Sequence, residues 1–263
     1  MDVNMFYAKS KEKPLDNLVT DGGFCSIFRT IGCIGDSLSS GELVSRDEEG
    51  VLGHHDLYEY SWGQYMARTI GSKVYNFSRG GMSAKRFCDS FAEQCGVYKN
   101  ENLCQAYIIA LGVNDLSSGS EIGDIDKISV SERRDPKDES IMSYYAFIVR
   151  MIKSKQPDAK IFLMTIPYSS TLPEERIKRE DELSEAIRKF AEKTKNTYVL
   201  DFRKYAPVFD EKFNDTFFIG GHMTPAGYLL MAKFTMSYID YIIRNNHEDF
   251  NQAGFIGTPL SYR

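Results

Sequence analysis

Thr30-Ile31-Gly32-Cys33-Ile34-Gly35-Asp36-Ser37-Leu38-Ser39 decides the fold. Its first six residues are small or β-branched and read as a buried strand, which stops at a glycine and then presents an aspartate and a serine. A serine just past the carboxyl end of a central strand sits beside free backbone N–H groups, where an α/β fold places a nucleophile. Taken alone, Gly-Asp-Ser is also an ordinary polar turn.

Outward from this stretch, helical and strand patterns alternate. Residues 58–70 carry Tyr58, Trp62, Tyr65, Met66 and Thr69 at helical spacing, and residues 73–77 read as a short strand. After the tight turn Ser78-Arg79-Gly80-Gly81, Ser83 caps a helix with Phe87, Phe91 and Cys95 on one face. The near-continuous apolar run 104–111 predicts a central strand covered on both faces. Helix 141–155, strand 159–166, helix 172–195, strand 198–202 and helix 225–244 follow. Three segments read as loops: the Gly- and charge-rich 41–56, the long charged 116–140, and 203–223 with its cluster of phenylalanines. The Lys178-Arg179-Glu180-Asp181-Glu182 run reads as a solvated helix face. Strands alternating with helices imply right-handed crossovers and a three-layer α/β/α sandwich around a parallel sheet of about five strands.

The chain has 263 residues, 42% hydrophobic and 26% charged, which suits one soluble domain with a large core. Residues 1–27 read as an irregular arm, 28–245 as the domain and 246–263 as a loose tail. The net charge of −5 and the lack of a Lys/Arg stripe argue against nucleic acid. Residues 1–29 have no apolar signal-like core and no run is long enough to span a bilayer, so a cytoplasmic protein without a membrane partner is expected. Five cysteines with no C-x-x-C pair read as free thiols. No cluster has metal-ligand spacing, because the adjacent His54 and His55 diverge, and neither metal nor cofactor is expected.

Four blocks adjoin the same sheet edge: Gly35-Asp36-Ser37-Leu38, Asn76-Phe77-Ser78-Arg79-Gly80-Gly81, Gly112-Val113-Asn114-Asp115 and Gly221-His222-Met223-Thr224-Pro225. A serine nucleophile needs a base in reach and donors aimed where the carbonyl oxygen becomes negative. His222 supplies the base; the Ser37 and Gly81 N–H groups and the Asn114 amide supply donors. Asp36 and Asp115 read as acceptors for loop backbone.

With these four blocks, over roughly residues 29–244, the sequence resembles the SGNH/GDSL hydrolase family. The resemblance implies a flavodoxin-like sandwich, hydrolysis of esters, thioesters or O-acetyl groups on carbohydrates, and no metal or cofactor. It places Ser37, Gly81, Asn114 and His222 in the family's four roles, with Gly80 as the alternative to Gly81. The family's last block is usually Asp-x-x-His, yet the residue three before His222 is Ile219. Either a backbone carbonyl near Ile219 or Gly220 orients His222, the favoured reading, or Asp215, less readily Asp210, swings in. Arg79 reads as a surface arginine or a substrate contact, and Phe209, Phe213, Phe217 and Phe218 as a substrate wall or loop packing. The expected reaction is Ser-His acyl-enzyme hydrolysis of a small-molecule ester or acylated carbohydrate with a short acyl group. The rival is a binding protein that has lost the triad acid.

Overall fold

The computed structural model describes residues 3–260. Strand β1 (Thr30–Gly35) turns directly into the one-turn helix α1 (Ser37–Ser40), followed by β2 (Glu42–Arg46), β3 (Leu52–Asp56), α2 (Trp62–Ile70) and β4 (Lys73–Ser78). The next helical stretch is broken: α3 (Ala84–Arg86) and α4 (Ala92–Cys95) flank a π-helical turn at Phe87–Phe91. Then come β5 (Ala106–Ala110), α5 (Val113–Ser117), α6 (Ile141–Lys155), β6 (Lys160–Met164), α7 (Glu174–Glu192) and β7 (Thr197–Leu200). The chain ends with α8 (Phe202–Tyr205), α9 (Glu211–Phe217), β8 (Phe218–Ile219), β9 (His222–Met223), α10 (Pro225–Asn245) and α11 (His247–Phe250).

Five parallel strands in the order β4-β1-β5-β6-β7 form the central sheet, the expected three-layer sandwich. Alternate residues feed its two faces. Ile34, Phe77, Tyr107, Ile109 and Leu163 pack under α6 and α7, whereas Ile31, Cys33, Ile108 and Phe162 pack under α2 and α10. Gly32 permits this density at the sheet centre, since a Cβ there would lie 2.8 Å from the Tyr107 ring and 3.0 Å from Phe77. Among the described residues no helix is long and apolar enough to cross a membrane.

Three segments depart from the sequence expectation. Residues 41–56 are not a loop: β2 and β3 pair antiparallel, with Val44 opposite His54 and Glu42 opposite Asp56. Their exposed, charged faces carry no apolar alternation, the pattern by which a strand announces itself in sequence. The tail is anchored, with Phe250 and Ile256 buried and the Phe250 ring packed against Phe28 and Tyr198. Within the charged run on α7, Glu180 is buried between Arg176 Nε (2.8 Å) and Arg203 Nη1 (2.9 Å).

Candidate active site

The register sets the site's level. Gly35 pairs with Ser78 on one side and Ala110 on the other, so the turns after β1, β4 and β5 open side by side at the carboxyl edge of the sheet. Asp36 caps α1, its Oδ1 accepting the Leu38 N–H at 3.0 Å, and this fixes Ser37 as the first helical residue. Ser37 is half-buried, and its N–H and hydroxyl have no hydrogen-bond acceptor among the described residues.

The second and third blocks lie beside it. Gly81 takes a left-handed φ of 66°, a conformation suited to glycine, and its N–H likewise has no acceptor among the described residues. Asn114 stands on α5, and its Nδ2 donates to Asp36 Oδ2 at 3.2 Å and to the Met82 carbonyl at 3.1 Å. Both amide protons are thus engaged, so for Asn114 to hold an oxyanion one of these bonds must be exchanged. Asp115 accepts the Ala84 N–H with both carboxylate oxygens, locking the turn after β4 to α5.

Burial raises the carboxyl of Asp36 to about 7, against the bond from the Leu38 N–H, and raises that of Asp115 as well. For an acid whose folded pKa is raised, stability is full below the unfolded value, near 3.8, and is lost as pH rises through the folded one. The unfolding free energy of the wild type is therefore expected to fall between pH 4 and 7, and the Asp36→Asn variant to flatten that slope. Urea denaturation at stepped pH measures it; an unchanged slope in the variant would assign it to other groups.

His222 arrives on the tight β8–β9 hairpin, whose turn uses left-handed Gly220 and Gly221. Thr224 caps α10 by accepting the Gly227 N–H. His222 Nδ1 lies 3.3 Å from the Gly220 carbonyl, and Nε2 lies 3.2 Å from Glu42 Oε1. Asp215 is exposed on α9 and Asp210 caps that helix through the Phe213 N–H; neither touches His222. The carboxylate against the imidazole is that of Glu42 on β2, which also meets His54 Nδ1 at 2.8 Å. A buried tyrosine ties this group to the nucleophile: the Tyr228 hydroxyl is shared between the Ser37 carbonyl (3.2 Å) and the Glu42 carbonyl (2.8 Å). Helix α1 packs against β9. Ser37 and His222 thus stand on adjoining elements, with Nε2 turned to Glu42 and no hydrogen bond to Ser37 among the described residues.

Beside Leu38, opening over the carboxyl ends of β5 and β6, lies a largely apolar cavity of about 790 Å³. Trp62, Met164, Ile166, Leu172, Phe209, Phe218 and Met231 line it, with Arg176 and Glu180 at one wall and Asp215 at the rim. Phe218 lines the cavity, whereas Phe217 does not; Phe213 stacks on Phe209 at 4.0 Å and packs the same loop. Arg79 turns away from the site, its guanidinium 4.6 Å over the Phe91 ring and 3.4 Å from Gln94. Sequence reasoning assigned no role to Tyr228 or to Glu42.

Comparison with known proteins now adds the family. The family model of the GDSL-like lipase/acylhydrolases matches residues 33–230, three-quarters of the chain, and the chain belongs to that family. In structure it is similar to a family two carbohydrate esterase from Clostridium thermocellum, solved in complex with cellohexaose. The TM-score is 0.57 at 16% identity, over 82% of this chain and 64% of that one. A family two carbohydrate esterase with a carbohydrate-binding domain from Corynascus thermopiles (Myceliophthora fergusii) gives 0.54 at 18%, over 80% and 65% of the two chains. A Clostridium thermocellum family 3 carbohydrate esterase gives 0.52 at 14%, over 82% and 96%. No curated protein matches the sequence.

Proposed function

We propose that this chain is a serine esterase in which Ser37 attacks an acyl carbonyl while His222 takes its proton. The observation that carries the reading is the chain of contacts from the Ser37 carbonyl through Tyr228 and Glu42 to His222, which supports pairing this serine, with its free hydroxyl, with this histidine. The unpaired Ser37 and Gly81 N–H groups are the donors for the oxyanion, joined by Asn114 once it releases Asp36 or Met82. His222 then protonates the leaving alcohol and activates the water that releases the acyl group.

Ile219 removes the family's usual acid, and two groups take over its work. The Gly220 carbonyl accepts from Nδ1–H and so selects the tautomer with its lone pair on Nε2. The Glu42 carboxylate beside the ring stabilises, through its charge, the imidazolium that forms as Ser37 gives up its proton. Nε2 must swing from Glu42 toward Ser37 for the first step, a side-chain motion that substrate in the site favours by excluding water.

Carbohydrate esterases share the fold, which supports an acylated carbohydrate as substrate, with a short acyl chain the sequence-based expectation. The apolar cavity widens that range, being far larger than an acetyl group. Each buried methylene contributes about 0.8 kcal/mol, close to fourfold in kcat/KM, so p-nitrophenyl butyrate, with two more methylenes, is expected to exceed the acetate by roughly fifteenfold. Ester hydrolysis assayed across acetate, butyrate and an O-acetylated oligosaccharide tests the reading. Equal rates for acetate and butyrate would take the acyl chain out of the cavity. Absence of turnover on all three, with no fluorophosphonate labelling, would favour a binding protein.

A further inference from the structure

Two of the chain's four histidines meet at one carboxylate oxygen. Glu42 Oε1 lies 2.8 Å from His54 Nδ1 and 3.2 Å from His222 Nε2, and the three donor atoms all fall within 4.8 Å of one another. We propose that Glu42, His54 and His222 bind a single divalent transition-metal ion of the zinc class, and that the bound ion switches off the chemistry of Ser37. The second half rests on the esterase reading; the first does not.

The fold builds this cluster from two stiff elements. On the β2–β3 hairpin, Val44 pairs with His54 and Glu42 is two residues before Val44, so period two sends all three side chains to one face. His55 points the other way, to Ser45 Oγ. The same face seats the β8–β9 turn: a Cβ on Gly220 would lie 3.1 Å from Leu52 and 3.2 Å from Val44. This contact holds His222 against the hairpin, with its ring edge-on to His54 at 5.3 Å between centroids. Nothing about the esterase step requires His54.

The donor set selects the ion. Two imidazole nitrogens and one carboxylate oxygen suit zinc and its neighbours, whereas calcium and magnesium take all-oxygen shells. Tetrahedral zinc with ligands at 2.0–2.1 Å places donors about 3.3 Å apart. The Glu42–His222 separation is already there, Glu42–His54 must open by about half an ångström, and the two nitrogens lie within 4.8 Å of each other. His54 is half exposed, which leaves the fourth position to water. In coordination the Nε2 lone pair of His222 is held by the ion, so it is not available to take the Ser37 proton, and the serine falls back to an unactivated hydroxyl.

The test is zinc titration against a chromophoric chelator for the wild type, His54→Ala and Glu42→Gln. Fluorophosphonate labelling of Ser37 is followed in parallel, with zinc and after added EDTA. One zinc per wild-type chain is expected, with affinity at least about tenfold weaker in either variant. Zinc is expected to suppress labelling of the wild type reversibly, while His54→Ala labels at the wild-type rate and ignores zinc at the same concentration. Thermal melts check that both variants fold. Failure to bind zinc stoichiometrically, or affinity unchanged in both variants as for zinc on the thiols, would overturn the site. Zinc bound with labelling undiminished would overturn the inhibition. Labelling absent even without zinc would remove the esterase reading and the inhibition with it, while the titration still decides the site.

Discussion

Ser37→Ala is expected to lower kcat on p-nitrophenyl butyrate by roughly 10⁴- to 10⁶-fold, the range seen when a serine hydrolase loses its nucleophile. The reason is the absence of a substitute. Of the neighbouring hydroxyls, that of Ser39 belongs to a buried residue and that of Ser40 donates to Asp56 at 2.7 Å. His222→Ala is expected to cost nearly as much, and the double variant little more than either single one, because base and nucleophile act on the same proton. Stability separates this from a folding defect. The Ser37 hydroxyl is half-buried and unpaired, so its removal is expected to move the unfolding free energy by less than about 0.5 kcal/mol. Kinetics and urea denaturation on the same preparations measure both. A Ser37→Ala enzyme within tenfold of the wild type would move the reaction away from this serine altogether.

The elements that build the sheet edge were legible because their signals are local. Helix 141–155 announces itself by Ile141, Tyr145, Ile148, Val149 and Ile152 on one stripe, and the structure ends it at the same residues. The run Ala106–Ala110 is apolar on both faces because both faces are covered. The hairpin that carries Glu42 and His54 was not legible: Ser45, Arg46, Leu52, His54, His55 and Asp56 are all exposed, so no apolar face marks it as strand. The same holds for Glu180, which sits beside exposed Lys178, Asp181 and Glu182 on α7 while it is claimed by two arginines, one of them from beyond β7. Convergence of Glu42 with His222 is a property of the assembled sheet, since the two are brought together only when β9 docks on β2. Asn114 illustrates the opposite limit. Its position was evident from its block, yet the bonds it makes to Asp36 and Met82 depend on how three turns meet.

Loss of the buried arginine behind the cavity is expected to have the largest effect on stability. Arg203 is 4% exposed and Glu180 2%, and the guanidinium also bonds Asp181 Oδ1 at 2.7 Å and the Ile177 carbonyl at 2.9 Å. Breaking a buried pair by removing one partner typically costs about 3–5 kcal/mol, because the charge left behind keeps its desolvation penalty without its counter-ion. Arg203→Leu is expected in that range by urea denaturation. Lys127→Ala, which removes an exposed and solvent-screened pair with Asp124, is expected to leave the denaturation midpoint unmoved. A cost below about 1 kcal/mol for Arg203→Leu would mean that Arg176 alone neutralises Glu180. The arginine also reaches the substrate side: it lies 3.4 Å from the Pro167 carbonyl and 4.9 Å over the Tyr168 ring, on the loop that walls the cavity. Arg203→Lys keeps the charge but loses the fork that holds these groups at once. In that variant KM for butyrate is expected to rise more than KM for acetate, since only the longer chain depends on the wall that Arg203 supports.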